Sequence, residues 1–268
     1  MRIPFVQIDA FARAPFEGNP AAVMPLATWL DDATLLAIAQ ENNLSETAFM
    51  VPVAGSEDDG GAGADFELRW FTPAAEVELC GHATLASGHY ILSADPSRDR
   101  VAFRTRHAGV LTVERQGAGY ALGLPAWAPS PRDLPEIVAA LGVDPVAVLW
   151  QDRGYPLVIV RDEAAVRAAA PDMTALAKHP VVAIVSARGE TADVVSRVFT
   201  PYYAIPEDPV TGAAHAVMVP YWAGVLGRDR FTAYQASARG GQLTCHHGDG
   251  RVVLGGGCVT VIEGSFTL

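Results

Sequence analysis

Two segments of the sequence place chemically active side chains beside a glycine that opens an apolar stretch. In the first, Cys80 and His82 flank Gly81, and in the second, Asp208 stands shortly before Gly212. Thiols, imidazoles and carboxylates are the groups with which proteins move protons. A helix that starts at such a glycine offers unpaired backbone N–H groups to a ligand. Two such helix starts can bind an anionic or carbonyl-bearing small molecule and stabilise an enolate-like transition state. The alternative is that the glycines only permit close packing.

The two segments belong to a longer internal repeat. Each copy has an Arg-x-Phe-Thr-Pro motif, an acidic loop, a glycine that opens an apolar helix and a tyrosine in that helix: residues 69–73 and 197–201, 76–78 and 207–208, Gly81 and Gly212, and Tyr90 and Tyr221. Chance explains one matching motif but not a whole series in register. The sequence therefore predicts two diverged copies of one structural unit, with a small-molecule site in the cleft between them.

Short runs rich in Val, Ile, Phe and Leu, bounded by Gly, Pro, Asp or Ser, predict that strands dominate the chain. Two stretches are apolar nearly all round and are predicted to form buried helices, Gly81–Leu92 and Gly212–Leu226. Caps and apolar spacing predict further helices over Asp31–Glu41, Leu134–Leu141 and Glu163–Ala169, and a glycine-rich loop over Gly55–Ala64.

The composition excludes several classes of function. The 268 residues carry a net charge of −11 without a Lys/Arg-rich run, so nucleic acid is not an expected partner. The longest apolar run, Ala216–Leu226, is too short to span a bilayer, and no secretory signal is evident, so no membrane association is expected. Three cysteines indicate free thiols and a cytoplasmic setting. Neither a nucleotide-binding fingerprint nor close metal-ligand spacing occurs, and no metal is expected.

Six blocks along the chain resemble a known family. They are Gly18–Ala22 (GNPAA), Asn43–Thr47 (NLSET), Phe71–Pro73 (FTP), Cys80–Thr84 (CGHAT), Glu207–Gly212 (EDPVTG) and Arg239–Gly241 (RGG). In combination they resemble the phenazine-biosynthesis PhzF-like isomerases, which share the diaminopimelate epimerase-like fold. The resemblance extends over nearly the whole chain.

The resemblance implies an α+β fold of two pseudo-symmetric domains, each with a bent, barrel-like, mostly antiparallel sheet around a central helix. We expect one domain to cover residues 1–116, completed by a C-terminal strand at 256–268, and the other to cover residues 117–255. The resemblance also implies a biosynthetic isomerase that works without a cofactor, takes a small anionic metabolite as its partner and forms a homodimer.

Carried onto this sequence, the family motifs place the catalytic acid/base at Glu46, with His82 and Asp208 as the other catalytic residues. A carboxylate in a dry cleft can take a proton from carbon and return it elsewhere. Substrate contacts are expected from the neighbouring motif positions Asn19, Gly81, Ala83, Thr211, Gly212 and Ala213. Ala213 stands where the phenazine enzyme has a serine, so the resemblance does not carry the phenazine substrate over to this chain.

Other interpretations of these residues stay open at this point. Taken without the motif, Glu46 is more typical of an exposed strand-edge residue in a salt bridge than of a catalytic base. A core histidine is the alternative for His82, and a helix cap is the alternative for Asp208. A neutral imidazole is expected at His82 because the helix dipole disfavours a proton there. Cys80 resembles the first thiol of two-thiol racemases and epimerases, but no second cysteine occurs near Pro209. The alternatives to a Glu46-dependent isomerase are therefore a non-catalytic small-molecule binding protein and a Cys80-dependent racemase or epimerase.

Overall fold

Strands rich in β-branched and aromatic residues make up most of the chain in the computed structural model, which describes residues 1–53 and 63–268. The chain forms two units, Met1–Gly123 with Gly255–Leu268, and Leu124–Leu254. Most of the loop predicted over Gly55–Ala64 lies outside the described residues. Among the helices of the described ranges, none has the length and apolar character that crossing a membrane requires.

The helices are α1 (Asp32–Asn42), α2 (Gly81–Ala94), α3 (Pro135–Leu141), α4 (Glu163–Ala168), α5 (Met173–Leu176) and α6 (Gly212–Leu226). The strands are β1 (Arg2–Ala10), β2 (Asn19–Pro25), β3 (Glu46–Pro52), β4 (Phe66–Phe71), β5 (Glu76–Val77), β6 (Arg100–Arg104), β7 (Val110–Gln116), β8 (Gly119–Pro125), β9 (Ser130–Pro131), β10 (Ala147–Gln151), β11 (Tyr155–Ile159), β12 (Ala183–Arg188), β13 (Val194–Thr200), β14 (Ile205–Asp208), β15 (Arg230–Gln235), β16 (Gly241–Gly248), β17 (Arg251–Gly256) and β18 (Cys258–Thr267). The predicted helices all form, and their ends shift by one or two residues at most sites.

The first unit is a mixed sheet that surrounds one helix. Its strands pair in the order β18, β1, β2, β3, β4, β6, β7, β8, and β5 also pairs with β4. Among the strand pairs of the described residues, β2–β3 and β4–β6 are the parallel ones in this unit. Each parallel pair needs a crossover connection, which α1 and α2 supply. Helix α2 packs against β1, β2, β3, β6, β7 and β18. Its first eight residues are buried, as its apolar sequence predicted.

The second unit repeats this order of elements. Its strands pair as β9, β10, β11, β12, β13, β15, β16, with β14 also on β13. The parallel pairs are β11–β12, connected through α4 and α5, and β13–β15, connected through α6. The first eight residues of α6 are buried. Each unit thus has the same two parallel pairs at the same places in its chain order, as expected for two copies of one ancestral unit.

The Arg-x-Phe motif makes the same contacts in both units. Alternate residues of a strand lie on one face, so the arginine and the phenylalanine of the motif are neighbours. In each unit the arginine makes paired hydrogen bonds to an acidic residue and lies over the phenylalanine ring, 5.0 Å and 4.8 Å from the ring centres: Arg69 on Glu76 and Phe71, and Arg197 on Glu207 and Phe199. The repeated motif therefore fixes the strand that leads to each buried helix.

The two units meet in the chain between Gly123 and Leu124, whereas the predicted boundary follows residue 116. Strand β8 accounts for the difference. It pairs with β7 from Val113↔Leu122 to Gln116↔Gly119, so most of this hairpin belongs to the first unit.

The close packing of the central helix α2 on β7 can be tested by substitution at Gly88. A Cβ added at Gly88 would lie 2.4 Å from Cγ1 of Val113, which is closer than side chains approach. We expect Gly88→Ala to lower the free energy of unfolding by about 1–3 kcal/mol, because α2 or β7 must shift. The matched control is Gly224→Ala in α6, where nothing lies within 4 Å of the added Cβ.

The control is expected to raise the free energy of unfolding by about 0.5–1 kcal/mol, because alanine is the better helix former. Urea unfolding of the two variants measures both effects. Equal changes in the two variants would contradict the close packing of α2 on β7.

Candidate functional site

Four predicted site residues of the first unit lie at the starts of three neighbouring elements. Asn19 is the first residue of β2, Glu46 is the first residue of β3, and Cys80 and His82 lie on either side of the start of α2. Strands β2 and β3 run parallel with Ala21 opposite Glu46, so their starts lie side by side. Because α2 packs on both strands, its N-terminus brings His82 to the same place.

The imidazole of His82 is the centre of this group. Its Nε2 lies 3.1 Å from Oε2 of Glu46. On the other side of the ring, Nδ1 lies 3.2 Å from Nδ2 of Asn19 and 3.5 Å from Sγ of Cys80. The side chains of His82 and Glu46 are 3% and 14% exposed. Glu46 is therefore a largely buried residue at a buried histidine, and the interpretation as an exposed strand-edge glutamate is wrong.

The Glu46–His82 contact is close but poorly aligned. Although the two atoms are 3.1 Å apart, neither Oε2 of Glu46 nor Nε2 of His82 makes a hydrogen bond with acceptable angles. Catalytic contacts of this kind are often loose without a substrate and tighten in the complex. The carboxylate is thus close to the imidazole without being locked to it.

The surroundings set the protonation of the imidazole and the thiol. Burial by itself lowers the pKa of His82, but Cys80 and Glu46 together raise it well above the ordinary value of 6.5. Burial and the charge of Glu46 raise the pKa of Cys80 to about 11, against the opposing effect of His82. With a pKa of about 11 the Cys80 thiol is protonated at neutral pH, and Glu46 is the neighbour that favours a proton on the imidazole there. This direction is opposite to the one that the helix dipole alone predicts, and the neutral imidazole expected at His82 stays a prediction.

In the second unit, Asp208 and Thr211 lie together before α6. The hydroxyl of Thr211 donates to Oδ2 of Asp208 at 2.5 Å. Thr211 is also the residue that precedes the first turn of α6, and Gly212 and Ala213 are buried in that turn. The predicted residues of this unit therefore do gather at one helix start, as those of the first unit do.

Gln235, at the end of β15, holds this group together and was not predicted. Its Nε2 donates to the carbonyl of Asp208 at 2.7 Å and to Oγ1 of Thr211 at 3.1 Å, while its Oε1 accepts from the backbone N–H of Thr211 at 2.9 Å. The side chain is fully buried. A buried amide that uses both of its ends in this way fixes Asp208 relative to α6. A buried glutamine in a strand carries no sequence signal that separates it from an exposed one.

The strand registers show which residues correspond in the two units. Val77 is opposite Trp70 as Asp208 is opposite Val198, and Ala213 follows Gly212 as His82 follows Gly81. Thr211 precedes its glycine as Cys80 does, so the position that corresponds to the thiol is Thr211 and not the Pro209 expected from the sequence. The repeat therefore places no thiol at the second helix start, and the reactive groups of the two units differ.

The fourth residue of each buried helix has one role in both units. Oγ1 of Thr84 donates to the carbonyl of Cys80 at 2.5 Å, and Nδ1 of His215 lies 2.8 Å from the carbonyl of Thr211. Burial lowers the pKa of His215 to about 4, against the raising effect of this hydrogen bond, so the ring is neutral and Nδ1 donates. His215 therefore anchors the helix start and is not a further cation.

Three metal-ligating side chains of the described residues meet at His82. The ligand atoms of Glu46, Cys80 and His82 all lie within 4.8 Å of one another. Glu46 contacts Nε2 and Cys80 contacts Nδ1. An ion bound through Nε2 would therefore have Glu46 as a neighbouring ligand, and an ion bound through Nδ1 would have Cys80.

Comparison with known proteins identifies the family of this chain. The family described as Phenazine biosynthesis-like protein (PhzC-PhzF) matches residues 8–264. Two proteins of Pseudomonas aeruginosa, Uncharacterized isomerase PA2770 and Uncharacterized isomerase PA3578, are 45% and 44% identical to this chain, with all of each chain covered. The human Phenazine biosynthesis-like domain-containing protein is 35% identical over the whole of both chains. The chain belongs to the PhzF family.

Solved PhzF structures have the same fold. A phenazine biosynthesis protein of the PhzF family from Enterococcus faecalis superposes with a TM-score of 0.89 at 40% identity, with all of both chains covered. A PhzC/PhzF protein from Clostridium difficile gives 0.86 at 34% identity, over 99% of this chain and 100% of the other. A hydroxyproline epimerase from Agrobacterium vitis, at 0.58 and 13% identity over 99% of this chain and 91% of the other, shares the fold alone.

These findings confirm the predicted family, the α+β epimerase-like fold and the isomerase class. The catalytic roles of Glu46, His82 and Asp208 stay predictions, as do the substrate contacts, the inter-domain cleft, the homodimer and the cytoplasmic setting. So does a role for Cys80 as acid or base.

Substitution of Gln235 tests whether its contacts position Asp208 in this PhzF-family protein. Gln235→Glu replaces the Nε2 donor with a carboxylate oxygen that faces the carbonyl of Asp208. We expect the free energy of unfolding to fall by about 2–4 kcal/mol, because a buried charge loses its partners. The control is Gln242→Glu on β16, an exposed glutamine, with an expected change within about 0.5 kcal/mol. Denaturant unfolding of both variants measures this, and a neutral Gln235→Glu would show that the amide does not hold the group.

Proposed function

We propose that this PhzF-family isomerase moves a proton on a small carboxylate- or carbonyl-bearing metabolite without a cofactor, with Glu46 as the acid/base. The observation that carries the proposal is the position of the Glu46 carboxylate, largely buried, 3.1 Å from the imidazole of His82 and beside the start of α2. A largely buried carboxylate can serve as a general base and acid toward carbon, and the neighbouring imidazole can stabilise the anion that forms.

In the proposed reaction, an oxygen of Glu46 takes a proton from a carbon next to a carbonyl, a carboxylate or an extended π-system. The electrons of the C–H bond move into that group and give an enolate-like anion. The imidazolium of His82 and the N–H groups at the start of α2 stabilise the negative charge as it develops. Glu46 then returns the proton to another carbon, so that the product is an isomer and no electrons leave the substrate.

Asp208 is proposed to hold the substrate. Its carboxylate is fixed by Thr211, which Gln235 fixes in turn, so its position is set before any ligand arrives. Ala213 offers a methyl group where the phenazine enzyme has a hydroxyl. This difference favours a substrate whose group facing residue 213 differs from that of the phenazine precursor.

The protonated thiol of Cys80 distinguishes this proposal from a racemase. A thiol racemase needs a thiolate as its base, and burial together with Glu46 raises the pKa of Cys80 to about 11. The corresponding residue of the second unit is Thr211, which supplies no second thiol. Glu46 is therefore the proposed base, with Cys80 as a neighbour of His82.

The proposal is tested by deuterium incorporation from heavy water into a panel of small carboxylic and oxo acids, followed by mass spectrometry and NMR. For an acid that the wild type exchanges, Glu46→Gln is expected to lower the exchange rate about 10²–10⁴-fold, the usual worth of a general base. The matched control is Glu41→Gln, an exposed glutamate on α1, which is expected to exchange at the wild-type rate.

Two further variants separate the alternatives. Cys80→Ser is expected to retain exchange, and a loss as large as that of Glu46→Gln would favour the thiol racemase. Asp208→Asn is expected to raise the substrate concentration needed for half-maximal exchange more than it lowers the maximal rate. Binding of a panel member without exchange in the wild type would favour a non-catalytic binding protein.

A further inference from the structure

The two groups on the Nδ1 side of His82 are spaced like the ligands of a metal ion. Zinc binds sulfur at about 2.3 Å and imidazole nitrogen at about 2.0–2.1 Å, so a tetrahedral ion separates these two ligand atoms by about 3.5 Å. Sγ of Cys80 and Nδ1 of His82 are 3.5 Å apart. The pair therefore has the spacing of one edge of a zinc tetrahedron before any ion is bound.

A third polar group lies on the same side of the ring. The amide of Asn19 is 3.2 Å from Nδ1, close to the spacing of an imidazole nitrogen and an oxygen around one ion. A side-chain amide carries an oxygen as well as a nitrogen, so rotation of this group by half a turn presents an oxygen ligand. Thiol, imidazole and amide together leave one tetrahedral position open to a ligand.

Glu46 completes the arrangement from the other side of the ring. Histidines that bind a metal commonly donate their second ring N–H to a carboxylate, which orients the ring and strengthens the metal bond. Oε2 of Glu46 lies 3.1 Å from Nε2 of His82, and the two groups must realign on metal binding for Oε2 to accept this N–H. Cys80 and His82 are 5% and 3% exposed, so the ion would be shielded from water while Glu46 stays partly open.

We propose that Cys80 and His82 bind a soft divalent cation of the zinc class, with Asn19 as an oxygen ligand and Glu46 as the carboxylate on the opposite ring nitrogen. On binding, the thiol proton and any proton on Nδ1 pass to solvent, and bonds form from Sγ and Nδ1 to the ion. No electron is transferred. Such an ion binds the imidazole that the proposed isomerase reaction uses, so we expect zinc to inhibit this reaction. This inhibition is the one consequence that rests on the proposed function.

The site is tested with Co²⁺ as a spectroscopic substitute for Zn²⁺, on the full chain freed of metal with a chelator and kept reduced. The wild type is expected to bind one Co²⁺ with a thiolate-to-cobalt charge-transfer band in the near ultraviolet, and Zn²⁺ is expected to displace it. Cys80→Ser is expected to abolish the band. The chain offers two matched controls, Cys245→Ser and Cys258→Ser, which remove other free cysteines and should leave the band unchanged.

Two more variants address the nitrogen side. His82→Gln is expected to weaken Co²⁺ binding at least 100-fold, and Glu46→Gln to weaken it about 10–100-fold, the usual worth of a carboxylate behind a metal-bound histidine. Circular dichroism checks that each variant is folded. The proposal is overturned if the wild type shows no charge-transfer band, if the band depends on Cys245 or Cys258, or if His82→Gln binds Co²⁺ as the wild type does.

The cobalt spectra do not depend on turnover, so the two proposals fail separately. A charge-transfer band together with an absence of deuterium exchange would sink the isomerase mechanism and leave the metal site standing. Exchange that Glu46 supports, with no band in the wild type, would do the reverse.

Discussion

The contact between the buried His82 and Glu46 constrains the rest of the first unit. The His82 imidazole sits in the first turn of a buried helix, where the unpaired backbone N–H groups already carry positive charge. An imidazolium there needs a negative partner close by, and Glu46 at 3.1 Å is that partner. The parallel pairing of β2 and β3 and the packing of α2 across them bring the two residues together, although they are far apart in the sequence. The sheet and the central helix thus bring Glu46 and His82 into contact.

The duplicated scaffold carries a chemistry that is not duplicated. Each unit has the arginine–carboxylate pair, the parallel strands and the glycine-led helix, and in both units a side chain of the fourth helical residue anchors the helix start. The reactive groups differ, because His82 corresponds to Ala213 and Asp208 to Val77. Residues that hold the backbone in place have kept their partners in both copies. Residues that can act on a substrate occur in one copy each, which leaves the copies free to take different roles.

Much of the fold could be predicted from the sequence because it rests on local patterns. The two buried helices were found because they are apolar all round, and α6 begins and ends at the predicted residues. The short helix α5, Met173–Leu176, was missed because four residues give too little periodicity to recognise. The proximity of Glu46 and His82 came from a family motif, since no spacing in the chain reveals it. The raised pKa of His82 and the support from Gln235 could not be predicted, because both depend on which side chains meet after folding.

The protonation state of His82 is the most direct test of this account. Nitrogen-15 NMR of histidine-labelled protein, with the His82 signals assigned through His82→Gln, reports the protonation of each ring nitrogen as the pH is raised. The account predicts that both nitrogens of His82 carry protons at pH values well above 6.5 and that Glu46→Gln shifts this titration to lower pH. A His82 ring that is already neutral at about pH 6.5 in the wild type, with a titration unchanged in Glu46→Gln, would contradict it.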